Sequence, residues 1–461
     1  MLTKKYKKTK GFVPILGIVI IGVIVLAVAG IILIFVLRGT VPPLPHKVNL
    51  KMWGVWDNQS DWASIISSYK SLHPYVSITY EKFRYAEYEK ELVNAWARQE
   101  GPDIYALPSS WLGKYKNDFI APMPKTTKMA YYRKVKTLGI KEETKVEYKT
   151  QNTVSLNYLK SNFVSTVYND AVINNNVYGL PATIDTLVLF YNKDLLDAAH
   201  IPQPPATWQE FVNNVKQLTI LDTNNNIIQS GTALGTANNV PYAMDILSLI
   251  MMQYGTAMST GNAVTFNSPE GLEALNFYSY FANPGKEVYC WNENMPDALD
   301  SFANGKVAFF FGYPYQVPDI KQRGPRLNYG ISSFPQITPE KETNYADYWL
   351  QTVSKNSTAK NEAWDFIVYA TDAKNVTKYL KATGKASVLR SIISDQVKDP
   401  YVDLYIFAKQ ALNAKTWYHG ADPQQAEEYF DEMINSVVKG TEVADKAISI
   451  AAKRIQSTYK D

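Results

Sequence analysis

Two short stretches hold side chains well placed for chemistry. Trp53-Gly-Val-Trp-Asp57 ends in a carboxylate, and Pro108-Ser-Ser-Trp111 sets two hydroxyls beside an indole. Carboxylates and hydroxyls exchange hydrogen bonds with a hydroxyl-rich ligand, and flat rings cover its apolar C–H faces. The plain alternative for Asp57 is a turn aspartate closing a strand. Rings are abundant, with 32 Tyr and 10 Trp in 461 residues. Most must pack cores, but a surplus of amphipathic rings suits a polar, ring-shaped ligand.

Other chemistries find no support. The four histidines, His46, His73, His200 and His419, lack metal-ligand spacing. Cys290 stands alone, which excludes an intrachain disulfide framework and a cysteine-based zinc site. Asp222-Thr-Asn-Asn-Asn226 begins like a calcium loop, yet Ile227 takes the glycine position and no acid closes it, so a hairpin turn is expected. Phosphate loop, dinucleotide fingerprint and nucleophile elbow are all missing. Acids are plentiful, but nothing sets two of them opposite each other as glycoside hydrolysis needs. Hence no metal, no cofactor and no catalytic residue is expected.

The elements that must position these side chains begin at Val48. Val48, Leu50 and Met52 alternate as a strand, and Trp62, Ile65, Ile66 and Tyr69 recur at helical spacing. Val76, Ile78 and Tyr80 alternate again, Leu92, Val93 and Trp96 mark a second helix, and Asp103 to Leu107 makes a third strand. This β-α-β-α-β order builds a parallel sheet with right-handed crossovers, and ligands collect beyond the carboxyl ends of its strands. The loops Gly54 to Ser60 and Pro108 to Trp111 lie there, whereas Asp103 reads as a support. Residues 112–177 are less regular, and the polar run Lys134 to Thr153 reads as a surface insertion. Beyond it, Leu187 to Tyr191 is a short apolar strand, and Thr207 with Glu210 forms a capping box that starts a helix. Ser268-Pro269 opens another helix, Val307 to Phe311 is a buried strand ended by Gly312, and Ala363, Phe366, Ile367 and Ala370 trace a further helix.

The first forty residues bear on location. Lys4, Lys5, Lys7, Lys8 and Lys10 precede an uncharged run from Gly11 to Leu37, closed by Arg38. That run exceeds the ~20 residues a helix needs to span a bilayer. The lysines belong on the cytoplasmic side, which puts the remainder outside the cell as a single-pass membrane protein. A cleaved signal peptide is the rival, with Ala27-Val28-Ala29 as its cutting site, but the cut leaves an apolar terminus from Ile31 to Leu37. Residues 1–40 hold six of the 47 Lys+Arg and none of the 43 Asp+Glu, so the rest carries 41 against 43. The basic balance therefore belongs to the tail and does not indicate nucleic-acid binding. Gly39 to Lys47, with Pro42-Pro43 and Pro45, reads as a stiff stalk.

A series of blocks carries a resemblance. Tyr178-Gly-Leu-Pro181 is followed by Leu189-Phe-Tyr-Asn-Lys-Asp-Leu195 and by Ile201 through Pro205 with Thr207-Trp208. Then come Gly305-Lys-Val-Ala308 before Phe311-Gly312, Tyr348-Trp-Leu-Gln-Thr-Val-Ser-Lys355 ahead of Ala363-Trp364, and Thr416-Trp417. Their order resembles the extracellular solute-binding proteins of bacterial ABC importers, particularly the maltose/oligosaccharide-binding type. The usual lipoprotein cysteine of that family is missing. The resemblance, which runs from about residue 47 to the C-terminus, implies an α/β, two-lobed periplasmic-binding-protein fold of hinged lobes with mixed sheets, following the one N-terminal transmembrane helix read from the apolar run. With that tail and anchor at 1–38 and the linker at 39–46, the resemblance places lobe 1 at 47–183 and 353–400, and lobe 2 at 184–352 and 401–461.

By the same resemblance the ligand lies in the cleft between lobes. Asp57 matches a sugar-binding carboxylate, and Ser110 and Trp111 occupy a contact loop where the family often has a charge. Asp185 lies at the first lobe crossing, where maltose-binding relatives have a carboxylate. Tyr242 matches a stacking ring, and Tyr313 or Tyr315 stands where the family stacks a tryptophan. Trp349 on the second crossing and Trp417 near the last helices each resemble a cleft aromatic. The implied function is a monomeric, membrane-anchored receptor on the extracellular face. It delivers a mono- or oligosaccharide to ABC transporter permease subunits by lobe closure, without nucleic acid. A surface-anchored glycoside hydrolase, or a non-transport binding module or sensor of the same fold, stands as the alternative. A peptide, polyamine or metal ligand also stays open; clustered acids would favour a polyamine, but the acids that the sequence places are sparse.

Overall fold

The computed structural model describes residues 22–30, 44–137, 141–400 and 402–459. The chain divides into two compact units, Met1–His46 with Ala130–Lys149, and Lys47–Met129 with Thr150–Asp461. In the first, residues 22–30 are helical. No helix among the described residues is long and apolar enough to cross a membrane. Most of the apolar run from Gly11 to Leu37, and the lysines before it, lie outside the described residues.

In the second unit the alternating segments of the N-terminal third become one sheet. Its strand order is Trp349–Val353, Ile104–Pro108, Val48–Gly54, Val76–Lys82. The last three run parallel, joined by the helices Gln59–Leu72 and Tyr85–Ala97. Asp61 Oδ2 accepts from the Asn58 N–H at 2.7 Å and so anchors the start of the first helix. Trp62, Ile65 and Tyr69 are buried on one face, and burying such a face is what holds an amphipathic helix on a sheet. Trp349–Val353 runs antiparallel to Ile104–Pro108, with Trp349 opposite Pro108 and Val353 opposite Ile104. The resemblance puts the return near Val353; the pairing brings the chain back by Trp349.

A second, mixed sheet has the order Ile220–Leu221, Ile227–Thr232, Val307–Gly312, Val188–Asn192, Tyr329–Ser333. Val307–Gly312 is buried throughout, as its unbroken apolar run requires of a central strand. Between Leu221 and Ile227, the Asp222 carboxylate accepts from the N–H groups of Asn224 and Asn226, each at 2.8 Å, which makes the hairpin turn. Thr207 caps Trp208–Leu218 through the Glu210 N–H, and Ser268 caps Pro269–Tyr280 through the Gly271 N–H, each at 3.2 Å. A third, small sheet joins Ala414–Lys415, Asn344–Asp347 and Asp185–Thr186.

The polar run from Lys134 to Thr153 is more regular than a plain insertion. Thr126–Thr137 and Lys141–Asn152 pair as a two-stranded sheet. Thr144, Val146, Tyr148 and Thr150 alternate with Lys145, Glu147 and Lys149. That is a strand period, hidden by its charge.

Candidate functional site

Beyond the carboxyl ends of the first sheet lies a cavity of about 230 Å3. Trp56, after Val48–Gly54, and Ser110 and Trp111, after Ile104–Pro108, form one wall with Trp349. Tyr315, after Val307–Gly312, and Tyr242 and Asp245, at the head of the helix Ala243–Gln253, form the facing wall. Asp347 of the small sheet and the segment Thr416–Glu427 complete it. Tyr242 sits at φ 59° and ψ 30°, a left-handed conformation that bulky side chains rarely adopt. Such strain costs about 1–3 kcal/mol and clusters at ligand sites.

The rings form a connected set. Trp56 stacks on Tyr315 with centroids 5.0 Å apart and meets Trp349 edge-on at 6.0 Å. Tyr315 stacks on Tyr313 at 5.2 Å, and Tyr242 meets Tyr313 edge-on at 5.0 Å. This separates the two tyrosines left open by the sequence. Tyr315 lines the cavity, while Tyr313 is fully buried behind it and donates its hydroxyl to Asp245 at 2.8 Å. Trp417 is not among the lining residues. It is 3% exposed, packs on Phe266 and Phe430, and donates its indole N–H to Ser248 Oγ at 3.0 Å. Its place is the core beneath the cavity.

Trp56 and Trp349 also line a smaller cavity of about 40 Å3, which holds Asp57, Asp185, Gln351 and Lys385. Asp57 is well occupied. It accepts from Tyr379 at 2.8 Å, Lys385 at 2.7 Å and Trp62 Nε1 at 3.0 Å. Asp185 faces Asp347 directly across the antiparallel pair of the small sheet. Burial pushes Asp185 up to about 7, with Lys385 opposing and Asp347 and Asp57 adding to the rise. Burial likewise lifts Asp347 to about 6, against the hydrogen bond from Tyr315. Asp245 rises to about 8 through burial, opposed by the Tyr313 hydrogen bond and helped by Asp347 and Glu427.

Asp170 differs in being fully answered. Its carboxylate accepts from Tyr348 at 2.6 Å and Thr416 at 2.8 Å, and lies 2.9 Å from His419 Nε2. Burial acts to lower His419, but the hydrogen bond and charge of Asp170 outweigh it and hold the imidazole above its ordinary range. Asp103 sits at the other end of the sheet, where it accepts from the Lys51 N–H at 2.9 Å and Ser357 Oγ at 2.6 Å. It is a brace, as its place at a strand start implies.

Of the residues expected in one cleft, the structure brings Ser110, Trp111, Tyr242, Tyr315 and Trp349 to one cavity, and Asp57 and Asp185 to its smaller neighbour. Trp56, Tyr85, Asp245, Asp347, His419 and Glu427 also line the main cavity, and the sequence alone does not single them out as site residues. Trp56 was legible, being next to Asp57 in the same loop, and Asp347 immediately precedes the block that starts at Tyr348. Asp245 and Glu427 carried no local signal, because each is simply an acid near a helix start. Among the described residues no group of His, Cys, Asp and Glu is arranged to hold a metal ion.

The profile of bacterial extracellular solute-binding proteins matches residues 64–401. A multiple sugar-binding protein of Streptococcus mutans is 26% identical over 259 residues, 54% of this chain and 59% of that protein. A maltooligosaccharide ABC transporter solute-binding lipoprotein of Streptococcus pneumoniae is 23% identical over 405 residues, 82% of this chain and 87% of that protein. With several other curated relatives the match spans about half of their length. Among solved structures, a maltose-binding periplasmic protein of Listeria monocytogenes in complex with maltose superposes with a TM-score of 0.69 at 18% identity, covering 90% of this chain and 100% of that one. That likeness shows the two-lobed α/β fold. These relatives are binding proteins, not enzymes.

Proposed function

The chain belongs to the bacterial extracellular solute-binding proteins, and we propose that it is a carbohydrate receptor that hands its ligand to an ABC importer. The observation that carries this reading is the aromatic cavity between the first and second sheets. Trp56, Trp349 and Tyr315 offer faces for a pyranose ring, and Ser110, Asp347 and Asp245 offer partners for its hydroxyls. Asp57 and Asp185 serve from the smaller cavity, while Tyr313 and Trp417 support the wall from behind. The names of the relatives, which include sugar and maltooligosaccharide binders, support the same class.

Closing the two lobes on the ligand is the mechanism this fold favours, through segments such as Asp185–Thr186 and Asn344–Asp347. Closure stabilised by bound sugar then presents the surface that the permease reads. The run from Gly11 to Leu37 holds the receptor to the membrane, with its lysines inside and the binding lobes outside. A carbohydrate screen by thermal shift tests the reading, since a ligand that binds only the native state raises its stability. A screen in which no sugar raises the melting point overturns it.

A further inference from the structure

The smaller cavity holds polar groups that the fold itself does not answer. Gln351 is pinned in its strand, with Ala106 opposite on one side and Leu180 on the other. Its side chain is 9% exposed and lines the cavity, yet its Oε1 has no hydrogen-bond partner among the described residues. A buried acceptor left unmatched is costly, so this oxygen calls for a donor. Lys385 uses two of its three donors, on Asp57 at 2.7 Å and on the Tyr379 hydroxyl at 3.4 Å. Asp185 completes the wall and accepts no hydrogen bond among the described residues. Burial pushes its carboxyl up to about 7 against the pull of Lys385, toward the neutral form.

These groups select the chemistry of a guest. Gln351 calls for a donor, and the remaining Lys385 N–H calls for an acceptor. A hydroxyl is both, whereas an ammonium only donates and a carboxylate only accepts. Asp57 and Lys385 already pair with each other, so neither requires a charged guest. Size narrows the choice. The cavity measures about 40 Å3, little more than the share of one water in the liquid, about 30 Å3, and far short of a sugar ring. Trp56 and Trp349 line this cavity and the main one alike, so a ring held in the main cavity reaches the smaller one past these two indoles. A hydroxymethyl arm carries its oxygen one bond further from the ring than a ring hydroxyl does. Its methylene also meets the apolar walls of Val55, Ala106 and Ala182.

We propose that the smaller cavity receives the exocyclic hydroxymethyl group of a hexopyranose held in the main cavity, its hydroxyl donating to Gln351 Oε1 and accepting from Lys385 Nζ. The proposal rests on the carbohydrate reading and adds which sugars fit. The test is calorimetric titration of the full-length protein in detergent micelles, with sugars that differ only in hydroxymethyl groups. The pairs are glucose with xylose, galactose with L-arabinose, mannose with lyxose, and cellobiose with xylobiose. The 6-deoxy forms of the three hexoses separate the oxygen from its carbon. In at least one pair the hexose should bind about tenfold or more tightly than the pentose, as loss of a hydroxyl hydrogen-bonded to a charged group implies, and its 6-deoxy form should be weakened alike. Gln351→Leu should bring that pair within about threefold of each other. The variant should melt no earlier than the parent, because Oε1 has no protein partner to lose. Equal or tighter binding of the pentose in every pair, or a 6-deoxy sugar that matches its hexose, leaves water alone to answer Gln351. Either result overturns the hydroxymethyl assignment and leaves the carbohydrate reading standing. A hexose preference that Gln351→Leu leaves unchanged places the arm elsewhere and overturns the assignment too. Binding of no sugar overturns both.

Discussion

The ring of Tyr315 lies across the indole of Trp56, with centroids 5.0 Å apart and planes 22° from parallel. Trp56 follows a strand of the first sheet and Tyr315 a strand of the second, so one ring contact joins the loops of the two sheets across the cavity. An aromatic pair of this kind contributes about 0.5–1.5 kcal/mol beyond area burial. Tyr315→Ala should therefore weaken saccharide binding, raising Kd by up to about tenfold, as titration calorimetry would record. Unchanged affinity would place Tyr315 outside the site.

Two tryptophans should behave oppositely. Trp417 is packed among Phe266 and Phe430, so Trp417→Ala should cost about 3–5 kcal/mol of stability in urea unfolding. Trp349 lines the cavity, so Trp349→Ala should chiefly lose affinity. If the Trp417 variant unfolds normally and binds poorly, the ring belongs to the site and its placement in the core is wrong.

Two aspartates of the smaller cavity should also part company. Asp57 accepts from Trp62, Tyr379 and Lys385, so Asp57→Ala strands three donors and should lower stability by about 1–3 kcal/mol. Asp185 faces Asp347 and is uncomfortable as an anion. Asp185→Asn should bind sugar about 1–3 kcal/mol more weakly, yet melt no earlier at pH 8. Earlier melting of this variant would count against the repulsion.

The acids also set a pH dependence. Asp185, Asp245 and Asp347 have folded values of about 7, 8 and 6, all above the range near 4 of an unfolded aspartate. Between those values the folded state holds more protons, so stability falls as pH rises from about 4 to 8. The ligand-free protein should melt at a higher temperature at pH 5 than at pH 9, and Asp245→Asn should flatten that slope. An identical slope in the variant would show that Asp245 ionises normally.

Much of this arrangement was legible in the residues. Val48, Leu50 and Met52, then Val76, Ile78 and Tyr80, announce a parallel sheet, and Asp57, Ser110 and Trp111 then fall at its carboxyl end by strand direction alone. The Thr207–Glu210 cap and the turn at Asp222 were likewise local. What stayed hidden depends on contacts far along the chain. Asp347 meets Asp185 from 162 positions away in the chain, and nothing near either residue announces the pairing. Tyr313 and Tyr315 share a loop and a residue type, and only the packing of Asp245 against Tyr313 tells which ring faces inward. Trp417 follows the cavity residue Thr416, but the neighbouring side chain points into the core.

Topology has its own check. Protease added to intact cells should remove the binding lobes and leave residues 1–38 in the membrane, because lysines precede the apolar run. Spontaneous release of a soluble protein beginning near Gly30 would instead indicate a cleaved signal.

The most direct test of the cleft as a saccharide site is a thermal-shift titration of the full-length protein, beside Trp349→Ala, against mono- and oligosaccharides. At a hundredfold excess over Kd, a sugar that binds only the folded state adds about 2.7 kcal/mol of stability. A saturable rise is expected for at least one saccharide, with its midpoint moved to higher concentration in Trp349→Ala. A protein that no saccharide stabilises, or a rise that Trp349→Ala leaves unchanged, would contradict it.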